Sequence, residues 1–444
     1  MSFCLVSSPR FADHLTPPGH PERAARAEVM QAVAAKWAAL GVPVLAPRPA
    51  TREELLRIHT PEYLDLIAAM AGGAMMLDED TFTSPDTVEV AALAAGAAIV
   101  AVDTVLAPPT FRPSDLRGSV IGPSDLRASL ALVRPPGHHA KPGRAMGFCI
   151  YNNVAIAAAH ALGRGLTRVA IVDYDVHHGN GTQWSFYDDP RVLTISTHQF
   201  PFYPGSGAAD EVGEGRGAGF TLNAPLEASA TDGDYRMVFE CLVLPALEAF
   251  RPELLLVSAG FDAHMRDPIA QMAMSVAGCT ALARMLRDFG GGRRCPLVFV
   301  TEGGYHLQAV RACLDALVAV LGEAEDGTEV LSRDSEGLRR DSGVLSRDSE
   351  GLRRDSEGLR RDSEGLRRDS EGVRRDSEGL RRDSEGLSRD SGDARRGGDD
   401  GERAESLSPD EAPLVEHETA EPTHRGPAAV DLIRSVQKPY WPTL

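Results

Sequence analysis

Six apolar runs recur along the first part of the chain: FCLVSS from Phe3, ASLALVRP from Ala128, RVAIVDYD from Arg168, RVLTIST from Arg191, ELLLVSAG from Glu253 and PLVFVTEGG from Pro296. A strand with one wet face would alternate apolar and polar residues. Unbroken runs are what strands covered on both sides require. Between the runs lie alanine-rich stretches, 21–40, 87–106, 152–164, 232–250 and 275–289, each long enough for a helix. The order predicts an α/β fold with a central parallel sheet flanked by helices on both faces. In such sheets ligands bind beyond the carboxyl ends of the strands. Four runs end there in polar groups: RPPGHH, DYDVHH, SAGFDAH and TEGGY.

From about residue 323 the pattern changes. Between Leu331 and Ser391 a heptad, LRRDSEG, repeats with Leu or Val at each seventh position, from Leu331 to Leu387. A coiled coil needs two apolar positions per heptad, and the recurring glycine opposes a helix. A mixture so poor in apolar surface cannot bury a core. Residues 323–425 are therefore expected to form a disordered tail, with a lone ion-paired helix as the competing reading. The last segment, 426–444, regains aromatics in VQKPYWPTL and is expected to dock on the core. A duplicated PSDLR, at 113–117 and 123–127, reads as a loop insertion without chemistry.

Composition narrows the class. The 444 residues carry a net charge of −18, which disfavours direct binding of nucleic acid through a broad basic surface. The six cysteines are scattered and form no CxxC pair, as in a reduced, cytoplasmic protein. The N-terminus lacks the charged and apolar regions of a signal peptide, and no unbroken apolar run approaches the roughly 20 residues of a membrane span. A membrane partner is not expected.

The strand ends hold the chemistry. Alternate side chains of a strand share a face, so Asp173, Asp175 and His177 converge if the extension persists past Val172. Asp175 and His177 would supply two of the three protein ligands of a catalytic zinc, with Asp173 behind them; a capped strand with surface histidines is the alternative. Asp262, close behind its strand, would supply the third, or else cap a helix. His264 reads as a surface histidine. His138 and His139 follow Pro-Pro-Gly and point in different directions; each needs a partner to fix its tautomer, with Asp173 and Asn180 as candidates. Two surface histidines are the alternative there. Tyr305, after two glycines, could donate to a developing oxyanion, or simply pack. His178 is not expected to be a ligand.

Taken together, HPERAAR (20–26), DEDTFTSPDT (78–87), RPPGHHA (134–140), GFCIYNN (147–153), DYDVHHGNGTQ (173–183), YPGSG (203–207), SAGFDAH (258–264) and EGGY (302–305) resemble the zinc-dependent histone deacetylase family, with its bacterial deacetylase and acetylpolyamine amidohydrolase relatives. The resemblance implies the arginase–deacetylase fold, with residues 1–322 as the deacetylase catalytic domain. It implies zinc on Asp175, His177 and Asp262, catalytic His138 and His139 oriented by Asp173 and Asn180, and Tyr305 polarising the carbonyl. Gly147, Phe148 and Tyr203 resemble the walls of a narrow acyl-lysine channel, and Asp80 lies in an acidic loop able to attract a cationic substrate. The resemblance further implies potassium near Asp173, Asp175, His177, Ser196 and Thr197, and a buried arginine at Arg23. The expected reaction is hydrolysis of an N-acetyl amide, with acetyl-lysine in proteins as substrate. The alternatives are acetylated polyamines or other small acetylamides, and a non-catalytic acyl-lysine binding module.

Overall fold

The computed structural model describes residues 2–107, 126–323 and 421–442. Most of the expected 323–425 tail and most of the PSDLR duplication lie outside these residues. The described residues belong to one compact unit built from both ends of the chain.

In chain order the principal elements are β1 (Ser2–Ser7), α1 (Ala25–Ala39), β2 (Val44–Leu45), α2 (Arg52–Leu55), α3 (Pro61–Ala68), α4 (Thr87–Val105), β3 (Leu126–Leu132), α5 (Asn153–Gly163), β4 (Val169–Asp173), α6 (Asn180–Ser185), β5 (Val192–Gln199), β6 (Thr221–Leu226), α7 (Asp232–Val238), α8 (Leu244–Phe250), β7 (Leu254–Ala259), α9 (Val276–Arg293), β8 (Leu297–Thr301), α10 (Leu307–Gly322) and α11 (Arg425–Gln437). A π-helical turn, Phe239–Val243, joins α7 to α8. The eight strands form one sheet in the order β2-β1-β3-β8-β7-β4-β5-β6, and every pairing is parallel. The strands carrying the polar endings, β3, β8, β7 and β4, are neighbours at its centre. Their endings therefore meet at one edge, as the rule for parallel sheets requires.

Alternate residues of each strand point to opposite faces, and both faces are dry. Leu255 and Val257 of β7 belong to the core that includes α1, α7, α9 and α10, while Leu254 and Leu256 belong to the core under α4 and α5. Each such side chain contributes about 1.5–3 kcal/mol by leaving water. α4 is long and apolar enough by composition to cross a membrane, although Glu89 and Asp103 interrupt its apolar run, and 67% of its apolar window is buried in this core.

The C-terminal segment covers the outermost strand. Ala429, Val430 and Ile433 of α11 are buried in the core. Gln437 donates to the Thr221 carbonyl of β6 at 2.9 Å, and the Trp441 indole donates to the Gly219 carbonyl at 2.6 Å. Such cover shields a sheet edge from pairing with other chains. The contact begins before the expected boundary at 426: the Thr423 hydroxyl already donates to Asp234 at 2.9 Å.

Candidate active site and metal centre

Beyond β4 the chain turns twice on its own carboxylates. Asp173 Oδ1 accepts the Asp175 N–H at 3.1 Å, and Asp175 Oδ1 accepts the His177 N–H at 2.9 Å. Short acidic side chains that bond two residues ahead hold such turns without a helix. From the adjacent β7, Asp262 Oδ1 accepts the Val176 N–H at 2.9 Å. One ligand atom each from Asp175, His177 and Asp262 then lies within 4.8 Å of the others, and all three residues are buried. His177 Nδ1 stands 3.1 Å from Asp175 Oδ1 and 3.2 Å from Asp262 Oδ2.

The backbone presses on this group. A Cβ on Gly260 would sit 2.1 Å from Asp175 Oδ2, and one on Gly303 would sit 2.1 Å from Asp262 Oδ2. The Gly303 N–H donates to Asp175 Oδ2 at 2.8 Å. Burial and the Asp175 charge push the Asp262 carboxyl up. Two enclosed carboxylates and one imidazole, held by backbone, are a donor set for a single divalent cation, and three protein ligands leave zinc an open position.

The paired histidines sit on the turn after β3. His138 Nδ1 lies 3.0 Å from Asp173 Oδ2, and His139 Nδ1 lies 2.8 Å from Asn180 Oδ1. Their ring centroids are 4.0 Å apart. A Cβ on Gly179 would meet Asp173 Oδ2 at 2.3 Å, which accounts for the first glycine of HGNG. The two imidazoles are driven apart electrostatically. Burial opposes the charge on His138, but Asp173 and Asp175 raise its pKa to about 10. Burial, with the charges of His138 and His177, holds His139 well below the ordinary histidine value.

Tyr305 is 7% exposed, and its ring stands 5.7 Å from Phe148 with the Arg26 guanidinium 5.1 Å from its centroid. Its backbone N–H donates to Asp267 Oδ2 at 2.7 Å. Gly147 and Phe148 both have positive φ, 57° and 68°. A Cβ on Gly147 would lie 2.5 Å from His139 Cδ2, so only a glycine lets the backbone pass this close to the histidine. Tyr203 meets the His139 ring edge-on at 5.2 Å. Asp80 is partly buried; its carbonyl accepts from His20, and burial together with Asp78 pushes its carboxyl up.

Two expectations require correction. Arg23 is exposed, and the fully buried arginine of HPERAAR is Arg26. Arg23 precedes α1, whereas Arg26 lies one helical turn from Glu22 and reaches Glu22 Oε1 at 3.0 Å and the Gly304 carbonyl at 2.6 Å. His264 is buried, 1% exposed, because the chain folds back in a bridge with Met274 and Nδ1 accepts the Arg266 N–H. His178 points away from the ligand group, to Ser206 and Gln183 at 2.9 Å each. Asp173 pairs in register with Ser196, and the Thr197 hydroxyl donates to the Asp173 carbonyl at 3.4 Å.

Sequence reasoning missed Phe202, which stacks on His177 with centroids 5.3 Å apart and planes 20° apart. It also missed the carboxylates of Glu22, Asp267 and Glu302 as organising groups. A Glu–Arg spacing of four in HPERAAR was the available signal for Glu22 and Arg26.

Comparison with known proteins places the chain in a family. The histone deacetylase domain family matches residues 20–321. Histone deacetylase 14, chloroplastic, of Arabidopsis thaliana is 47% identical over 199 residues, 44% of this chain and 46% of that protein. The polyamine deacetylase HDAC10 of Homo sapiens is 42% identical over 284 residues, 60% of this chain and 39% of that protein. The matches thus span about half or less of these relatives' own length. The crystal structure of the HDA15 HD domain superposes with a TM-score of 0.65 at 34% identity, covering 74% of this chain and 92% of that one. The chain belongs to the histone deacetylase family.

Proposed function

We propose that the protein is a zinc-dependent deacetylase that hydrolyses acetyl-lysine side chains in proteins, releasing acetate and the free amine. One observation carries this reading. A histidine pair, one ring held by the Asp173 carboxylate and the other by the Asn180 amide oxygen, and an enclosed tyrosine accompany a buried Asp–His–Asp group.

Zinc held by Asp175, His177 and Asp262 would polarise the amide carbonyl and make water more acidic. The chain's own residues do the rest. Asn180 accepts at Nδ1 of His139 and leaves its Nε2 lone pair free, so this ring takes the proton of the attacking water. His138, kept protonated by Asp173, gives a proton to the departing amine. The Tyr305 hydroxyl, which burial holds in its neutral form, donates to the carbonyl oxygen as charge develops. Phe148 and Tyr203 line the approach for an extended alkyl chain. A potassium ion beside Asp173, Asp175, His177, Ser196 and Thr197 would steady the strand ends behind the ligands.

A second reading changes only the substrate. Asp78, Glu79 and Asp80 form an acidic loop leading to Thr81, whose hydroxyl accepts the Phe148 N–H at 3.0 Å, and one relative is named a polyamine deacetylase. Rates on an acetyl-lysine peptide and on acetylspermidine at equal zinc separate the two. Faster turnover of the peptide is expected, faster turnover of acetylspermidine would transfer the assignment, and no hydrolysis of either with zinc bound would leave a binding module.

A further inference from the structure

Glu302, directly after β8, is a fully buried carboxylate that the reaction above does not use. Its Oε2 accepts two backbone N–H groups from the loop of the paired histidines, Gly137 at 2.6 Å and His138 at 3.1 Å. The Ser258 hydroxyl donates to Oε1 at 3.4 Å. The opposite side of the same loop is held by Asn152, whose amide donates to the His138 and Ala140 carbonyls at 3.4 and 3.2 Å. The Thr182 N–H also donates to the His138 carbonyl, at 3.1 Å. The peptide groups on both sides of His138 are thus tied to other elements. A Cβ on Gly137 would lie 2.5 Å from the Asn153 nitrogen, so the loop is pressed between Glu302 and the start of α5.

Glu302 itself is fixed at its backbone. Its N–H donates to the Ala259 carbonyl at 3.0 Å, and its carbonyl accepts from Arg26. Tyr305 follows three residues later. One short segment therefore carries both the acceptor that holds the histidine loop and the hydroxyl that acts on the carbonyl.

We infer that Glu302 is a positioning residue whose side-chain oxygen, accepting from Gly137 and His138, sets the distance between the histidine pair and Tyr305. The inference rests on the hydrolytic reading. Buried N–H groups require an acceptor, and without Glu302 these two would turn elsewhere and carry the loop with them. A shift of about 1 Å in a reacting constellation costs about 100-fold. The role belongs to the acceptor and not to its charge, since a glutamine places an oxygen on the same two donors and its amide on Ser258.

The test compares the wild-type protein with Glu302→Ala and Glu302→Gln. It reads kcat and KM on an acetyl-lysine peptide, zinc content, and the imidazole ¹⁵N–¹H resonances of His138 and His139. Glu302→Ala should lower kcat about 10- to 100-fold, as supporting groups around metal sites do, with KM and zinc content unchanged and both imidazole resonances displaced. Glu302→Gln should restore kcat to within about threefold and the wild-type spectrum. If the alanine variant does not fold, Glu302→Asp, which withdraws the acceptor by one methylene, takes its place with the same expected loss. Unchanged kcat and spectra in the alanine or aspartate variant would overturn the inference, as would a glutamine variant as impaired as either. A wild-type protein inactive on every acetyl amide refutes the proposed function instead, and the spectra then decide the role of Glu302 alone.

Discussion

His139 is oriented by Asn180, Nδ1 to Oδ1 2.8 Å, where its neighbour His138 has a carboxylate, Asp173, at 3.0 Å. An amide oxygen fixes the tautomer without supplying a counter-charge, and burial beside His138 then keeps the ring neutral. Asn180→Asp should add that charge and raise the proton affinity of His139 by about 1–2 units. A base must be unprotonated to act, so the acidic limb of the kcat/KM profile should move up by the same amount, with rates falling at low pH and unchanged above the limb. An unmoved limb would remove His139 from the role of base.

Tyr305→Phe keeps the packing against Phe148 and the Arg26 contact and removes only the hydroxyl. The expected result is a kcat lower by about 10²–10³-fold, the loss for one oxyanion donor, with zinc content unchanged. Wild-type turnover in that variant would contradict its role.

Gly303→Ala would place a methyl group 2.1 Å from Asp262 Oδ2 and 2.6 Å from Asp175 Oδ2. The oxygens must yield, and metal affinity should fall by about 10- to 100-fold, measured by competition with a chelating dye. Equal affinity would show that these oxygens are not ligands.

Glu22 joins two fully buried arginines, accepting from Arg26 at 3.0 Å and from Arg134 at 2.5 Å. Burial opposes its charge, but Arg134, His14 and Arg26 hold the carboxyl well below the ordinary range. A depressed folded value stabilises above the unfolded pKa of about 4.3, and that contribution is lost as pH falls below it. Glu22→Gln should cost about 3–5 kcal/mol at neutral pH by leaving the arginines unpaired, and less in acid. A loss under about 1 kcal/mol at neutral pH would show that the network does not hold the core.

The strands β1, β3, β4, β5, β7 and β8 were readable because burial on both faces leaves unbroken apolar runs. β6 was not, since TLNAPL mixes Asn223 and Pro225 into a strand at the sheet edge, where proline is tolerated. The convergence of Asp175, His177 and Asp262 was readable because they follow adjacent strands. Arg23 stood in for Arg26 because a motif match does not show that Arg23 lies exposed before α1 begins, while Arg26 lies buried within its first turn. His264 was mistaken for a surface group because its burial depends on the bridge to Met274, ten residues further on. Phe202 and Glu302 act through contacts with distant segments, which no local pattern displays.

The central claim is that one zinc ion, held by Asp175, His177 and Asp262, is required for acetyl-amide hydrolysis. Metal-stripped protein titrated with zinc, with turnover of an acetyl-lysine peptide followed at each addition, tests it most directly. Activity should rise from near zero to a plateau at one equivalent, and Asp262→Ala should stay inactive throughout. Full turnover without metal, or a plateau only at two equivalents, would contradict the account.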